Sequence, residues 1–328
     1  MVAAGLALAT LGLSACSYAT RKQDAALLVS SAARAIQSGT ATGQYSQVVD
    51  ATDTTLPLPV QLRTSRSDGL ALQIDFAHDR AAILNAVSLA SAASKVGKLD
   101  VSALVRQARS GNLSVISPPP ATVFDHWTIY VRQAGTSASP GTSAAGQGWY
   151  QLGFADLTSF QEGALHSPTP ISVMNPVLLV RLLAGTLSGS VRRIGPATID
   201  GVATTHYRMN VDVSKALSSM TNLSDRDTQA IQNLLVSDNV HDSTLYNDEV
   251  WLDSSGRPRR LVLHVVQQTD HRDNYHLTYT LDLANYGTPV HINLPNPDNT
   301  NQVSSLNQLL GEIGPSSTSM QLAGGPTP

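Results

Sequence analysis

Between Val191 and Leu283 the apolar residues recur with a period of two, and this pattern most constrains what the chain can fold into. In Val202–Val213, Ala203, Thr205, Tyr207, Met209 and Val211 alternate with Thr204, His206, Arg208, Asn210 and Asp212. Strand side chains alternate between faces, so this spacing predicts a sheet with one apolar and one polar side. Val191–Ile199, Tyr246–Leu252, Arg259–Gln267 and Tyr275–Leu283 read as further strands. In the last of these, Tyr275, Leu277, Tyr279, Leu281 and Leu283 share one face. Asp200-Gly201, Asp253-Ser254-Ser255-Gly256 and Asp270–Asn274 supply the turn residues between them. Repeated hairpins of this kind predict a long antiparallel meander, whose apolar face helices must cover.

Several segments carry helix signals. Asn175-Pro176 is an N-cap followed by proline at the first helical position, and Gly185 provides the stop. Between them Val177, Leu178, Leu179, Val180, Leu182, Leu183 and Ala184 are apolar nearly all round, with Arg181 the exception. Such a helix must be covered on more than one side. Ser224 with Asp227 forms a capping box ahead of Ala230, Ile231, Leu234 and Leu235. Asp24 caps a helix expected to run to Gly39, with Leu28, Ala32, Ala35 and Ile36 on its stripe. Further helices are expected over Ala81–Val96 and from Asp100 toward Gly111. Short strands are expected over Tyr45–Ala51, Val60–Arg66 and Leu70–Ala77, the last two joined by a turn at Ser67-Asp68-Gly69. Pro118–Pro120 breaks the chain before strands Val123–Arg132 and Gly148–Phe154. The Gly/Ser/Thr/Ala/Pro stretch Ala134–Gln147 reads as a loop, and the polar sequence after Pro295 as a loose tail.

The first residues point outside the cytoplasm. Residues 2–15 are weakly apolar and uncharged, and the first charge is Arg21. As a helix they reach about 21 Å, short of the roughly 30 Å hydrocarbon core, so a leader is expected rather than a span. No Lys or Arg precedes the apolar run, a departure from the usual leader. Cys16 is the single cysteine, which excludes an internal disulfide and a cysteine-cluster metal site. A formal charge of −3 offers no polybasic surface for nucleic acid.

Leu13-Ser14-Ala15-Cys16 resembles a bacterial lipobox. The resemblance implies that the Cys16 sulfur is alkylated with diacylglycerol and that Cys16 becomes the first residue of the mature chain. Asp200-Gly201-Val202-Ala203-Thr204-Thr205-His206-Tyr207-Arg208, followed by Val211-Asp212, resembles a recurring segment of the LppX/LprAFG-type lipoproteins of mycobacteria and their relatives. So do Val250-Trp251-Leu252-Asp253 with Gly256-Arg257-Pro258-Arg259-Arg260, and Tyr286-Gly287-Thr288-Pro289-Val290 before Pro295. The similarity is strongest over Val191–Pro295. It implies an α+β, LolA-like fold, in which a curved antiparallel half-barrel has helices covering its concave face. It also implies anchoring outside the cytoplasmic membrane and an apolar cavity for lipid or lipoglycan. The expected organisation is a signal peptide over 1–15, an acylated N-terminus and first helix over 16–44, a lipid-binding domain over 45–296 and a polar tail over 297–328.

Candidate chemistry is sparse by comparison. His271-Arg272-Asp273-Asn274-Tyr275-His276 is the densest histidine cluster, but it lacks a paired helical His or a Cys partner, so a solvated hairpin is the simpler reading. His206 beside Arg208 suits a structural hydrogen bond better than a general base. Asp242, Asp248 and Glu249 could form a carboxylate pair, although the last two face opposite ways on a strand, and a solvated loop is expected. No Gly-x-Ser-x-Gly elbow and no phosphate-cradling Gly loop occurs. Neither catalysis, a metal nor a cofactor is expected. The candidate lining of a lipid pocket is Leu178, Leu179, Leu182 and Leu183 with Ile231, Leu234 and Leu235. Two functions fit: an anchored carrier of acyl chains, working with an envelope transport partner protein, or an envelope sensor or scaffold that binds a protein.

Overall fold

The computed structural model describes residues 25–36, 39–53, 60–84, 122–132, 148–156, 174–221, 223–236, 243–268 and 273–313. The leader, Cys16, Asp24, the segments 85–121 and 133–147, Asp242 and His271 lie outside the described residues.

Helix α1 spans 25–35. Strands β1 (Thr40–Asp53), β2 (Val60–Asp75), β3 (Arg80–Leu84), β4 (Thr122–Asp125), β5 (Thr128–Arg132) and β6 (Trp149–Gly153) follow. Helix α2 (Pro176–Arg181) runs on as a 3-10 turn over Leu182–Gly185. Then come β7 (Arg192–Ile199), β8 (Val202–Asp212), α3 (Val213–Ser218), α4 (Asp225–Leu235), β9 (Thr244–Asp253), β10 (Pro258–Gln268), β11 (Asp273–Ala284), β12 (Thr300–Gln302) and α5 (Leu306–Ile313). All twelve strands form one sheet in the order β12-β6-β5-β4-β3-β2-β1-β11-β10-β9-β8-β7. Every pairing is antiparallel except β12 with β6. The meander is therefore two meanders, joined where β1 pairs with β11. Gly43 sits at this seam, where a Cβ would lie 1.8 Å from the Asp282 carbonyl oxygen, so any side chain would force the halves apart.

The helices show that the sheet curls. The Asn175 side chain at the head of α2 donates to the His126 carbonyl in the β4–β5 turn, and Thr186 at its foot forms a β-bridge with Val211 of β8. Flat, those points would be about 36 Å apart at the usual strand spacing. The eleven steps from Asn175 to Thr186 cover about 17 Å. Helix α4 likewise packs against both Phe154–Asp156, which follows β6, and β10, seven places along the sheet. The two halves of the sheet therefore close around α2, α3 and α4. This is the half-barrel with helices on its concave face that the sequence leads one to expect.

The C-terminal half follows its sequence closely. Asp200 and Gly201 both take positive φ (48° and 79°), the geometry that joins hairpin strands with the correct twist. Tyr207, Met209 and Val211 are buried, as are Leu277, Tyr279, Leu281 and Leu283, but at the start of β8 the expected faces are reversed, Thr204 being buried and Ala203 exposed. The Ser224 capping box forms as expected.

The N-terminal half departs from expectation at several points. Ser67-Asp68-Gly69 does not turn the chain, because β2 runs unbroken through it. The register skips from Tyr45–Leu70 to Gln47–Ser67, so these turn-prone residues make a bulge inside a long strand. Ala81 begins no helix; Arg80–Leu84 is a strand between β2 and β4. Val123–Arg132 is a hairpin rather than one strand, turning at His126 with φ of 52°. In α1 the buried side is Ala26, Val29, Ala32, Ala33 and Ile36, while Leu28 is exposed. Ala32 and Ile36 of the expected stripe are thus in the core, while Leu28 and Ala35 face outward and Ala26, Val29 and Ala33 take their place. The expected loose tail after 297 also contributes structure. Its β12 pairs with β6, and Leu306 and Leu309 of α5 enter the core.

Candidate functional site

The apolar interior is built from both walls. Leu72, Ile74, Ile83, Phe124, Ile129 and Leu152 come from one half of the sheet, and Met209, Val250, Leu261, Leu263, Tyr279 and Leu281 from the other. Every residue of α2 from Pro176 to Val180 is buried, as an all-round apolar helix requires. Leu178, Leu179, Leu182, Leu183, Ile231, Leu234 and Leu235 all belong to this one core and are at most 1% exposed. Side chains with so little accessible area touch protein on all sides. Helices α2 and α4 meet through α3, against which Gly185 packs so closely that a Cβ would lie 2.1 Å from the Asp212 carbonyl oxygen.

Polar bonds hold α2 at its ends. Asn175 accepts from the Val177 N–H at 2.9 Å while donating to the His126 carbonyl at 3.0 Å. Arg181 bonds Asp79, which sits at positive φ in the β2–β3 turn. Burial pushes the Asp79 carboxyl up, and the nearby Arg181 and His126 pull against it. Thr186 accepts from Lys215 through its carbonyl at 3.2 Å. Between these ends the described contacts of the helix are apolar.

Among the described residues, one carboxyl on the inner face has no exposed area at all. Strand β9 buries Leu245, Asp248, Val250 and Leu252, with Asn247 at φ of 61° shifting the phase between the first two. Asp248 is thus in a strand and not in the solvated loop expected from sequence, and it has no exposed area. Oδ1 accepts from the His264 backbone N–H at 2.9 Å, and Oδ2 has no partner among the described residues. Burial pushes this carboxyl well above the ordinary carboxylate range. A count by twos from Val250 and Leu252 places Asp248 on the inner face. That signal was in the sequence; what it lacked was any sign that the position is wholly covered.

The outer face of the same strands is polar. His206 stacks on Trp251 with ring centroids 4.0 Å apart, and Arg260 lies 5.9 Å from the Trp251 ring on the other neighbouring strand. Arg260 forks onto Asp282 at 2.5 and 2.8 Å. Arg208 reaches Glu249 at 2.7 Å, and Glu249 approaches His206 at 3.6 Å. Burial lowers the His206 and His264 pKa values, Glu249 opposing it in both. His206 is thus held by stacking rather than by the structural hydrogen bond expected of it, its Nε2 being buried with no hydrogen-bond partner among the described residues. No group of three or more metal-binding side chains occurs among the described residues. His276 is exposed. No described helix is long and apolar enough to cross a membrane.

No family model and no curated protein matches the chain. Solved structures do. LprF from Mycobacterium bovis is 14% identical with a TM-score of 0.31, the match covering 84% of this chain and 97% of that one. Lipoprotein LppX from Mycobacterium tuberculosis is 11% identical with a TM-score of 0.36, over 82% and 97%. A putative outer membrane lipoprotein-sorting protein domain from Vibrio parahaemolyticus is 8% identical with a TM-score of 0.25, over 89% and 99%.

Proposed function

We propose that this chain is a membrane-anchored, extracytoplasmic lipoprotein that binds the acyl chains of a lipid or lipoglycan between the curled sheet and helices α2 and α4, for transfer across the envelope. The observation that carries this reading is α2 itself. It is apolar on every side, enclosed by both halves of the sheet, and tied by polar bonds only at its ends. If α2 and α4 move away from the sheet, apolar surface opens on both walls. Hydrocarbon can replace the lost apolar contacts, each methylene removed from water contributing about 0.8 kcal/mol, while the polar bonds of Asn175 and Arg181 at the ends of α2 would have to open or act as hinges. Leu178, Leu179, Leu182, Leu183, Ile231, Leu234 and Leu235 would line that space in the opened state. The mechanism is burial and release, with no covalent step. Acylation of Cys16 would provide the anchor, since two or more chains hold a protein at a membrane where one does not.

Native mass spectrometry after expression in a related host tests the carrier: co-purifying lipid is expected, and bare protein only would refute it. Replacing Cys16 with Ala should release the protein from the membrane fraction.

A second reading has its own observation. The seven candidate residues are closed over by protein, and Leu27 and Leu28 stand exposed side by side on α1 (62% and 40%). A sensor or scaffold that docks a protein partner through an apolar patch would look this way. Lipid bound to the purified protein separates the two readings.

A further inference from the structure

Residues 25–35 of α1 carry one charge, Arg34, and no carboxylate. The inner side of the helix, Ala26, Val29, Ala32 and Ala33, belongs to the core. The outer side presents Leu27, Leu28, Arg34 and Ala35, all exposed. Leu27 and Arg34 are seven residues apart, about two turns, so they share one face.

Helix α1 lies across one rim of the sheet. At its foot the Gly39 carbonyl accepts from the Phe76 N–H at 3.0 Å, where β2 ends. At its head Leu28 meets the β9–β10 turn, where a Cβ on Gly256 would stand 3.8 Å from Leu28 Cδ1. The exposed residues of that turn are Ser254 and Ser255, both uncharged. Its carboxylate, Asp253, is buried and faces Arg257 and Arg259. The leucines therefore have no anion beside them on α1 or at the tip of the turn. The same rim carries the β2–β3 and β4–β5 turns, because Thr40, Asp75, Arg80 and Asp125 align across successive strands. Those turns bond Arg181 and Asn175 of α2.

Position and size select the occupant of this face. Leu27 and Leu28 follow Cys16 by eleven and twelve residues. The nine steps from Cys16 to Ala25 reach at most about 32 Å. A chain acylated at Cys16 thus keeps α1 close to its bilayer, and the tether raises the local concentration of lipid at this face. A stable protein interface takes roughly 800 Å² from each partner, far more than two leucine side chains supply. Two leucines held beside a membrane need only leave water, and the stem of Arg34 can lie along the interface with its guanidinium among phosphates.

We propose that the outer face of α1 docks in the headgroup layer of the phospholipid bilayer that holds Cys16, with Leu27 and Leu28 inserted and Arg34 on lipid phosphate. This rests on the reading of Cys16 as the anchor and adds the orientation of the domain. The rim whose turns bond α2 faces the bilayer, so the polar ties that must open for lipid to enter lie on the membrane side.

The test uses the full chain expressed in a related host, extracted from its membranes and placed in phosphatidylcholine vesicles. Mass spectrometry first reads the state of Cys16; an unmodified thiol removes the anchor and this inference together. With Cys16 acylated, the thiol introduced by Leu28→Cys is unique and takes a nitroxide. Its collisions with oxygen, which concentrates in lipid, and with a water-soluble nickel chelate report its surroundings. At Leu28→Cys, and separately at Leu27→Cys, the ratio of oxygen to nickel collisions should be severalfold above that at Val266→Cys, an exposed position toward the opposite end of β10. A ratio equal to that at Val266→Cys means a face in water. A label shielded from both reagents means cover by protein, whether a partner, a second copy or another segment of this chain. Either result overturns the proposal and leaves the Cys16 anchor standing. Arg34→Glu, which sets a carboxylate on the exposed face, should lower the ratio at Leu28→Cys toward that at Val266→Cys. An unchanged ratio overturns the contact between Arg34 and phosphate.

Discussion

Strand β9 carries two buried aspartates whose pKa values shift in opposite directions. Asp248 lies mid-strand on the inner face, with one N–H donor, the His264 imidazole 3.9 Å away, and a second oxygen that has no hydrogen-bond partner among the described residues. Asp253 lies at the β9–β10 turn and accepts from the N–H groups of Ser255 and Arg257 at 2.9 and 3.0 Å and from Arg259 Nε at 2.9 Å. Burial pushes both carboxyls up. At Asp253 the donors from Arg257, Arg259 and Ser255 outweigh burial and hold the group below its ordinary value. At Asp248 the single bond from His264 does not, and the group stays well above it. Burial alone does not decide whether a carboxyl is charged. The number and charge of the donors around it do.

Deleting the better-supported group should have the larger effect. Asp253→Ala removes an ionised acceptor from three N–H donors and leaves Arg259 without its partner, and we expect a loss of about 3 kcal/mol in urea unfolding at neutral pH. A loss below about 1 kcal/mol would mean that water replaces the carboxylate at the turn.

The pH response should separate the pair in sign. The folded-state pKa of Asp253 is depressed, so its contribution is present above the unfolded value and is lost as pH falls through the folded one. Asp248 is raised, so the folded state binds the extra proton and stability declines as pH rises from the unfolded value toward the folded one. Stability measured from acid to mildly alkaline pH should therefore lose part of its acid limb in Asp253→Asn and part of its decline toward higher pH in Asp248→Asn. Changes of the same sign in both variants would break the comparison.

The outer face provides the smaller effects. His206→Ala removes the stack on Trp251 and should cost about 1 kcal/mol. Glu249→Gln removes the charge that pairs with the half-exposed Arg208, and about 0.5 kcal/mol or less is expected, diminishing further in salt. Should Glu249→Gln cost as much as Asp253→Ala, the outer face would be a structural network rather than a solvated surface.

The halves of the sheet differ in how much of them could be read. In β8–β11 the strands are long, one face is largely apolar and Asp200-Gly201 can do little but turn, so local pattern and final structure mostly agree. In β1–β6 the same kinds of residue have other uses. Asp68-Gly69 relieves a long strand instead of ending it, and His126 turns a hairpin with no glycine. Whether such residues turn or bulge depends on the strand alongside, which local sequence does not name. Of the candidate site, Cys16 lies outside the described residues, and the seven residues proposed to line the site were legible as buried from helical spacing. The state of Asp248 was not, because its face is a matter of parity but its desolvation depends on what packs above it.

By itself the sequence determined the alternation of faces, the caps at Asn175 and Ser224, the stop at Gly185 and the tight turn at Asp200-Gly201. Each depends on residues within one turn or one strand. Tertiary structure alone decided that β1 joins β11 at Gly43, that the sheet closes around α2 and α4, that the C-terminal segment completes its edge, and that the carboxyl of one aspartate is held below its ordinary pKa while that of its neighbour along β9 is pushed above it. These outcomes depend on contacts between residues far apart in the chain, and on the water those contacts exclude.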